Sequence, residues 1–260
     1  MKISIITATY NSAATVKDTL GSILNQSYKD YELIIKDGGS KDNTLEICKE
    51  YEPKFEGRMR IVSARDKGIY DAMNEGIKFA TGDVIGILNS DDFYYDSEVL
   101  DDIASTIEKE KVDCVFGDLI FVDAEDTNLV KRVWKGSPYK KGCFYKGWAP
   151  AHPTFYARRE LFQKYGGFNI DYKVSADFDL MLRFLGVHKA TSAYIPRHFV
   201  KMRMGGESTG SIKSIIRGNK DIIHVLNENG FHVTYFYMVR RIVPKVWDTV
   251  LRKFGLRKSK

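Results

Sequence analysis

Apolar positions in the first 120 residues of the chain switch repeatedly between two spacings. Ile3-Ser4-Ile5-Ile6 is a short β-rich run, and within Ala13 to Leu24 the residues Val16, Leu20, Ile23 and Leu24 recur at helical spacing. The same unit returns with Tyr31 to Lys36 as strand, Asp37-Gly38-Gly39-Ser40 as turn, Asp42 capping a helix to Tyr51, and Met59 to Ser63 as strand. Tyr70, Met73, Ile77 and Ala80 share one face of a third helix that Gly82 stops, and Val84 to Leu88 is the next strand. After Asn89-Ser90-Asp91-Asp92 come a helix from Ser97 to Lys109 and an apolar strand from Asp113 to Val122. This alternation predicts an α/β fold, a mostly parallel Rossmann-like sheet with helices on both faces.

The regular pattern stops between Asp123 and Pro153, where Gly136, Pro138, Gly142, Gly147 and Pro150 stand among aromatics. That composition predicts an irregular or antiparallel region suited to forming part of a binding site. Helices are expected from Arg158 to Tyr165 and from Ala176 to Leu185, with Gly166-Gly167 as the turn between them. No repeat or low-complexity linker divides the chain, which reads as one domain over 1–230 and a tail over 231–260.

Charge separates the tail from the body. The chain carries a net charge of +6, yet Val239 to Lys260 hold eight Lys or Arg against Asp248 alone, so the body is close to neutral. In that tail Val239, Ile242, Val243, Val246, Trp247, Val250, Leu251 and Phe254 recur at three and four with basic residues between them, and Pro244 marks a kink or a first turn. An amphipathic basic helix of this kind suits an anionic membrane interface, and it equally suits packing on the core. Basicity confined to one end argues against nucleic acid along a whole face. Cys48, Cys114 and Cys143 are odd in number and in no paired spacing, which speaks against a disulfide framework or a zinc site. The apolar stretch Ile3 to Ala8 is too short for a signal core, and no window reaches the roughly eighteen apolar residues of a membrane span. The expectation is a cytoplasmic protein, with peripheral contact at the inner face of the cell membrane left open by the tail.

In a doubly wound sheet the carboxyl ends of the parallel strands share one edge, where ligands bind. That edge carries Thr7-Ala8-Thr9-Tyr10-Asn11, then Asp37, then Asp66, then Asp91-Asp92. Neither GxGxxG nor GxxxxGK[ST] is present, so a dehydrogenase or a P-loop nucleotidyltransferase lacks its phosphate loop here. Adjacent carboxylates instead suit a hard divalent cation that bridges them to diphosphate oxygens, and lone carboxylates suit base N–H or ribose hydroxyl groups. Taken singly, Asp37 and Asp66 also read as turn residues before glycines, and Asp177 as an acid at a helix start.

The segments TATYNSAATVKDTLGSILNQSYKDYELIIKDGGSKDNT and ARDKGIYDAMNEGIKFATGDVIGILNSDD closely resemble glycosyltransferase family 2, inverting enzymes of the GT-A fold that use nucleotide-diphosphate sugars. The likeness runs in register over about residues 1 to 120 and more loosely through HPTFYARRELFQKYGGFN and SADFDLMLRF to MGGES. Within the family it is most similar to non-processive bacterial enzymes of O-antigen, capsule and exopolysaccharide assembly; no QxxRW motif of processive members is visible. The resemblance implies that Thr9, Tyr10 and Asn11 form the nucleotide loop, that Asp37 contacts the base, and that Asp66 is a second nucleoside contact. Asp91 and Asp92 fall on the metal-binding DxD-type signature, with Asn89 where many members have Asp. Asp92 is favoured as the ligand of Mn2+ or Mg2+ and Asp91 as a ligand of ribose or metal. Asp177 falls at the position of the catalytic base, with Ala176 in place of the family's Glu, so Asp177 and Asp179 both stay open. Arg203, Gly205, Gly206, Ser208 and Thr209 suit a loop covering the diphosphate, and His152 before Pro153 lies in a region that reaches the site in similar proteins.

The implied reaction is transfer of one sugar, with UDP favoured as the nucleotide, to a hydroxyl of a glycan or lipid-linked acceptor. A catalytically silent nucleotide-sugar-binding or scaffold protein of a polysaccharide assembly complex is the alternative, because Asn89 and Ala176 replace acids.

Overall fold

The computed structural model describes residues 1–205, 212–234 and 237, and the side chains of 212–216 lie outside that set. The chain opens with β1 (Ile3–Thr9), α1 (Val16–Leu24), β2 (Tyr31–Asp37), α2 (Thr44–Tyr51), β3 (Met59–Ser63), α3 (Ile69–Ile77) and β4 (Val84–Ile87). Residues of β1 and β2 alternate between two cores. Ile3, Ile5, Tyr31, Leu33 and Ile35 pack with Val16, Leu20, Ile23, Ile47 and Cys48 on one face, while Ile6, Ala8 and Ile34 meet Ala72 and Met73 of α3 on the other. Thr7 to Thr9 belong to β1 rather than to a loop, because parallel pairing with β2 continues to Thr9 opposite Asp37.

The second half contains β5 (Phe93–Tyr94), α4 (Val99–Glu110), β6 (Cys114–Val122), β7 (Val130–Trp134), β8 (Tyr156–Arg158), α5 (Arg159–Tyr165), α6 (Ala176–Met181), β9 (Ser192–Arg203) and α7 (Ile212–Glu228). The strands form one sheet in the order β3-β2-β1-β4-β8-β6-β9-β5, with β7 paired to β6. From β3 to β4 the sheet is parallel as expected. Beyond β4 it is mixed: β8 runs antiparallel to both β4 and β6, and β9 runs parallel to β6. Helices cover both faces, as the two separate cores require. Strand β9 escaped the pattern reading because Pro196, Arg197 and His198 interrupt its alternation. The ladder with β6 skips there, from Phe116 opposite Tyr194 to Asp118 opposite His198, so the proline sits in a bulge where its missing N–H costs no ladder bond. The helix expected to Leu185 leaves regular α geometry after Met181 and continues as a wider π-type turn over Leu182–Val187.

Of the tail, Phe231 and Val233 pack against the second core, and the Tyr237 hydroxyl donates to the Phe144 carbonyl at 2.8 Å. The basic amphipathic helix expected from Val239 lies outside the described residues. Among the described residues no helix is long and apolar enough to cross a membrane. Cys48 and Cys114 are buried free thiols and Cys143 is half-buried and free.

Two local constraints shape the sheet. At Gly86 of β4, a Cβ would stand 2.0 Å from the ring of Tyr156, whose hydroxyl lies 2.6 Å from that of Tyr94 in the core. Only the missing side chain lets β8 lie beside β4 with Tyr156 across it. At the other end of the strands, burial pushes the Glu32 carboxyl up, but Lys2, Ser4 and Thr81 donate to it and outweigh that, holding it at about 2.

Two outcomes follow. Gly86→Ala should cost about 1–3 kcal/mol through overpacking, read as a lower urea midpoint; an unchanged midpoint would show that Tyr156 can move aside freely. Because the folded carboxyl of Glu32 lies below its ordinary 4.5, its contribution is present above that pH and is lost as pH falls toward 2. Urea midpoints measured from pH 5 down to about 3 should therefore fall less steeply in Glu32→Gln than in the unaltered chain, and equal slopes would contradict the assignment.

Candidate active site at the carboxyl edge

Lateral register brings Thr9, Asp37 and Ser63 side by side at the ends of β1, β2 and β3. The fully buried Asp37 carboxylate accepts from the Gly39 N–H at 2.9 Å, the Ser40 N–H at 3.1 Å, and the hydroxyls of Ser40, Ser63 and Thr9 at 2.5, 2.7 and 3.3 Å. Burial raises its pKa, but these donors outweigh it and hold the carboxyl below its ordinary value. Both oxygens are used within the protein. Asp37, expected to touch the base, is buried and fixes the turn beneath the Tyr10 wall.

Further bonds stitch the loops after β1 and β2. Asn11 adopts the left-handed conformation at φ 51°, its amide oxygen accepts from the Lys41 N–H at 2.8 Å, and its own N–H donates to the Ser40 hydroxyl at 2.9 Å. Asp42, expected as a cap, accepts from the N–H of Thr44 at 3.1 Å and also from the N–H of Ala13 at 3.0 Å. The outcome is an open wall. Tyr10 is 60% exposed, and Gly38 lets it approach Asp66, since a Cβ there would lie 2.7 Å from Asp66 Oδ2 and 3.4 Å from the Tyr10 ring. Asp66 is oriented by the Gly68 N–H at 3.0 Å and by Lys36, whose buried ammonium also donates to the carbonyls of Asp37 and Ala64 at 2.9 and 2.5 Å. No motif points to Lys36; its one signal in the sequence is a cation that follows the apolar run Leu33 to Ile35 inside a strand.

A second group converges after β4. Asp91 is half-buried, whereas Asp92, favoured above as the metal ligand, is fully buried. Asp92 Oδ1 accepts from the Arg203 N–H at 3.3 Å and Oδ2 has no hydrogen-bond partner. Burial and the neighbouring Asp91 push the Asp92 carboxyl well up, and burial raises Asp91 against the pull of Arg203 and His152. Of the two carboxylates, Asp91 is the more exposed. Arg203, expected to cover a diphosphate, is buried at the end of β9; it donates to the Asp91 carbonyl at 2.7 Å and pairs with Asp18, so it braces the Asp91 turn. Gly205 follows at φ +113°, and Gly206, Ser208 and Thr209 lie outside the described residues.

His152 joins this turn to the helix carrying the candidate base. Its Nδ1 lies 3.4 Å from Asp177 Oδ2 and its Nε2 lies 3.4 Å from the Asn89 amide nitrogen. A neutral ring with its proton on Nδ1 satisfies both contacts, a tautomer assigned from the network. Burial lowers the pKa of His152 against the opposing pull of Asp177 and Asp91, which agrees with neutrality. On the other side the Tyr70 hydroxyl lies 3.4 Å from Asp177 Oδ1 and donates to the Val174 carbonyl at 2.7 Å. Behind Asp177 and His152 is a cavity of about 10 Å³ walled by Ile87, Phe155, Phe168 and Met181, which keeps this side of the carboxylate in apolar surroundings.

Asp179 does not share the cleft. It is buried and paired with Arg183 at 2.8 Å, and Arg183 also donates to the carbonyls of Tyr165 and Gly167 at 2.7 and 2.5 Å. The alternation of helical faces separates the two acids, leaving Asp177 toward the cleft and Asp179 in the scaffold. Among the described residues no group of three or more His, Cys, Asp or Glu is placed to enclose a metal ion.

Residues 4–166 match the family model described as glycosyl transferase family 2. A PGL/p-HBAD biosynthesis glycosyltransferase of Mycobacterium tuberculosis is 38% identical over 181 residues, which cover 69% of this chain and 68% of the relative. EpsE of Bacillus subtilis is 30% identical over 186 residues, covering 70% of this chain and 66% of the relative. Among solved structures, S. aureus TarS 1-349 in complex with UDP-GlcNAc aligns with a TM-score of 0.69 at 21% identity over 88% of this chain and 65% of its own. Mannosyltransferase PcManGT from Pyrobaculum calidifontis, in complex with GDP-Man and Mn2+, aligns with a TM-score of 0.63 at 17% identity over 89% and 65%. The chain spans about two thirds of the length of these relatives, and the two structural likenesses establish the GT-A fold.

The division between the two acids of α6 is testable by stability alone. Asp179→Ala leaves Arg183 without its buried partner and should cost about 3 kcal/mol, whereas Asp177→Asn should stay within about 0.5 kcal/mol in urea denaturation. Equal losses would contradict the placement.

Proposed function

The chain belongs to glycosyltransferase family 2, and from that premise we propose that it moves one sugar, with inversion, from a nucleotide-diphosphate sugar to a hydroxyl of a glycan or lipid-linked acceptor in cell-surface polysaccharide or glycolipid synthesis. The observation that carries this reading is the bridge made by His152, which sets Asp177 and the Asn89–Asp92 turn within reach of one imidazole. Leaving-group site and proton acceptor then face a common cleft.

In this reading the open wall of Tyr10, Asn11 and Asp66 takes the nucleoside, with Thr9 and Asp37 setting its shape from below. Asp91 is the protein carboxylate that would hold a divalent cation, with Asp92 as its buried support. An incomplete protein donor set suits a cation whose remaining positions are taken by diphosphate oxygens and water. When bound, Mn2+ or Mg2+ would neutralise the charge that develops on the departing diphosphate. PcManGT was solved with Mn2+, which is in keeping with such a cation here. UDP-GlcNAc and GDP-Man in the two neighbours differ in base and sugar, so the preference for UDP rests on the family resemblance.

Asp177 accepts the proton of the acceptor hydroxyl as that oxygen attacks the anomeric carbon. His152 holds one of its oxygens and the Tyr70 hydroxyl lies beside the other, which positions the carboxylate although Ala176 stands next to it. A single base and a single displacement give inversion at the anomeric carbon. The basic tail completes the proposal as a peripheral contact to anionic lipid at the cytoplasmic face, where a lipid-linked acceptor would be met.

Nucleotide sugars screened with Mn2+ or Mg2+ and candidate acceptors should show nucleoside diphosphate release. Asp177→Asn should lower kcat by about 10²–10⁴-fold with donor binding retained, and Asp91→Asn should lose the metal-stimulated part of donor binding. Normal turnover by Asp177→Asn would overturn the role of that residue. Donor binding without nucleoside diphosphate release in the presence of any acceptor would favour the silent binding protein, the reading to which Asn89 and Ala176 point. Salt-sensitive binding to anionic vesicles should disappear on truncation after Thr234, and binding that survives would remove the tail from the account.

A further inference from the structure

We propose that the loop over residues 135–148 is a second membrane contact, a cationic surface that seats the chain on anionic lipid beside the candidate active site. This deepens the peripheral contact proposed for the tail, and it rests on that reading for the lipid-linked acceptor but not for the binding itself.

Charge along the chain is uneven here. Between Asp126 and Glu160 there are eight Lys or Arg and no acid. Four of the eight are engaged within the protein: Lys131 pairs with Asp123 at 2.9 Å, Arg132 stacks on Phe121 at 3.9 Å, and Arg158 and Arg159 donate to the carbonyls of Val112 and Gly82 at 3.1 and 2.7 Å. The other four, Lys135, Lys140, Lys141 and Lys146, are exposed, and among the described residues no carboxylate lies within salt-bridge distance of them. Like charges gathered on a body that is otherwise close to neutral repel one another, and an anionic partner relieves that repulsion.

The loop is built to hold these lysines outward. Trp148 Nε1 donates to the Ser137 hydroxyl at 3.0 Å and so closes its two ends, and Gly142 and Gly147 turn the chain in the left-handed conformation at φ 79° and 77°. On the inside, fully buried Phe144 meets the rings of Tyr139, Trp148 and Phe178 at 6.0, 5.4 and 5.6 Å. On the outside, Lys140, Lys141, Tyr145 and Lys146 are exposed around one turn, in which the Cys143 N–H donates to the Lys140 carbonyl at 2.9 Å. Tyr145, 44% exposed between lysines, has the apolar body and polar tip that suit the headgroup level of a bilayer.

Position selects lipid among anions. Tyr145 packs on Phe231 at 5.0 Å and the Tyr237 hydroxyl donates to the Phe144 carbonyl at 2.8 Å, so the chain is tied to this loop two residues before the basic run that begins at Val239. In the other direction, His152 of the candidate site follows Lys146 by six residues. Lysines, an exposed tyrosine and the start of a basic run together suit an anionic interface, and one seated there would present lipid-linked hydroxyls beside the cleft. A few lysines alone bind a membrane only marginally, so the loop and the tail act together.

Co-sedimentation of the full chain with vesicles of phosphatidylcholine, alone or mixed with phosphatidylglycerol, tests the contact at fixed ionic strength. Binding is expected only where phosphatidylglycerol is present. A lysine at an anionic surface is worth about fivefold, so the combined variant Lys140→Gln, Lys141→Gln and Lys146→Gln should bind about 100-fold more weakly. Arg at the same three positions keeps the charge and should bind as the unaltered chain does. All three side chains are exposed, so urea midpoints should be equal in the three proteins. Equal vesicle affinity in the Gln variant and the unaltered chain would overturn the proposal, as would an equal loss in the Arg variant, or tighter binding of a single-stranded oligonucleotide than of these vesicles. Binding that survives truncation after Thr234 and is then lost with the Gln substitutions would keep the loop and remove the tail. Nucleoside diphosphate release with a soluble acceptor should be the same in the Gln variant as in the unaltered chain, so a failed contact and a failed reaction read out separately.

Discussion

The buried carboxylate of Asp37 is the constraint on which the proposed nucleotide side of the molecule depends. Parallel pairing alone places the ends of β1, β2 and β3 next to one another, but strand ends are flexible unless their loops are held. Asp37 holds them, collecting donors from Thr9, Gly39, Ser40 and Ser63, two flanking strands and one turn, on a single group. Its lowered pKa means that the carboxylate is the form the fold requires. Lys36, one residue earlier on the opposite face, does the corresponding work beneath Asp66 through the carbonyls of Asp37 and Ala64. Adjacent residues of one strand thus use the period of two to brace both sides of the wall that bears Tyr10 and Asp66.

The chemical side is built differently, from segments far apart in sequence. Asn89 and the aspartates come from the turn after β4, His152 from the irregular region before β8, Tyr70 from the start of α3, and Asp177 from the first turn of α6. What unites them is a neutral imidazole with two differently used nitrogens. An Asp in place of Asn89 would bring a further negative charge to that ring and favour its protonation, so the amide and the neutral histidine suit each other. This gives a physical reading of one departure from the family pattern. Ala176, the other departure, is fully buried against the second core, where an ionised carboxylate would carry a desolvation penalty.

The first half of the fold was legible because its strands are short, apolar and separated by helices with clear periodicity. Thr9, Asp37, Asp66 and Asp91 could be placed on one edge from topology alone. Burial was not legible. Asp91 and Asp92 are neighbours of the same type, and only the tertiary contact between β9 and the turn, through the Arg203 N–H, decides which of them faces inward. The same holds for Asp177 and Asp179, which two residues of helix send to different partners. β9 was hidden by a proline in a bulge, and Lys36 by the expectation that a buried strand is apolar throughout. In each case the missing knowledge was a partner distant along the chain.

The proposed reaction rests on one carboxylate acting once on an acceptor hydroxyl, from the side of the anomeric carbon opposite the diphosphate. Proton NMR of the product formed from a donor of known anomeric configuration reads that directly. A product of opposite anomeric configuration is the predicted result, and a product that keeps the donor configuration would contradict it.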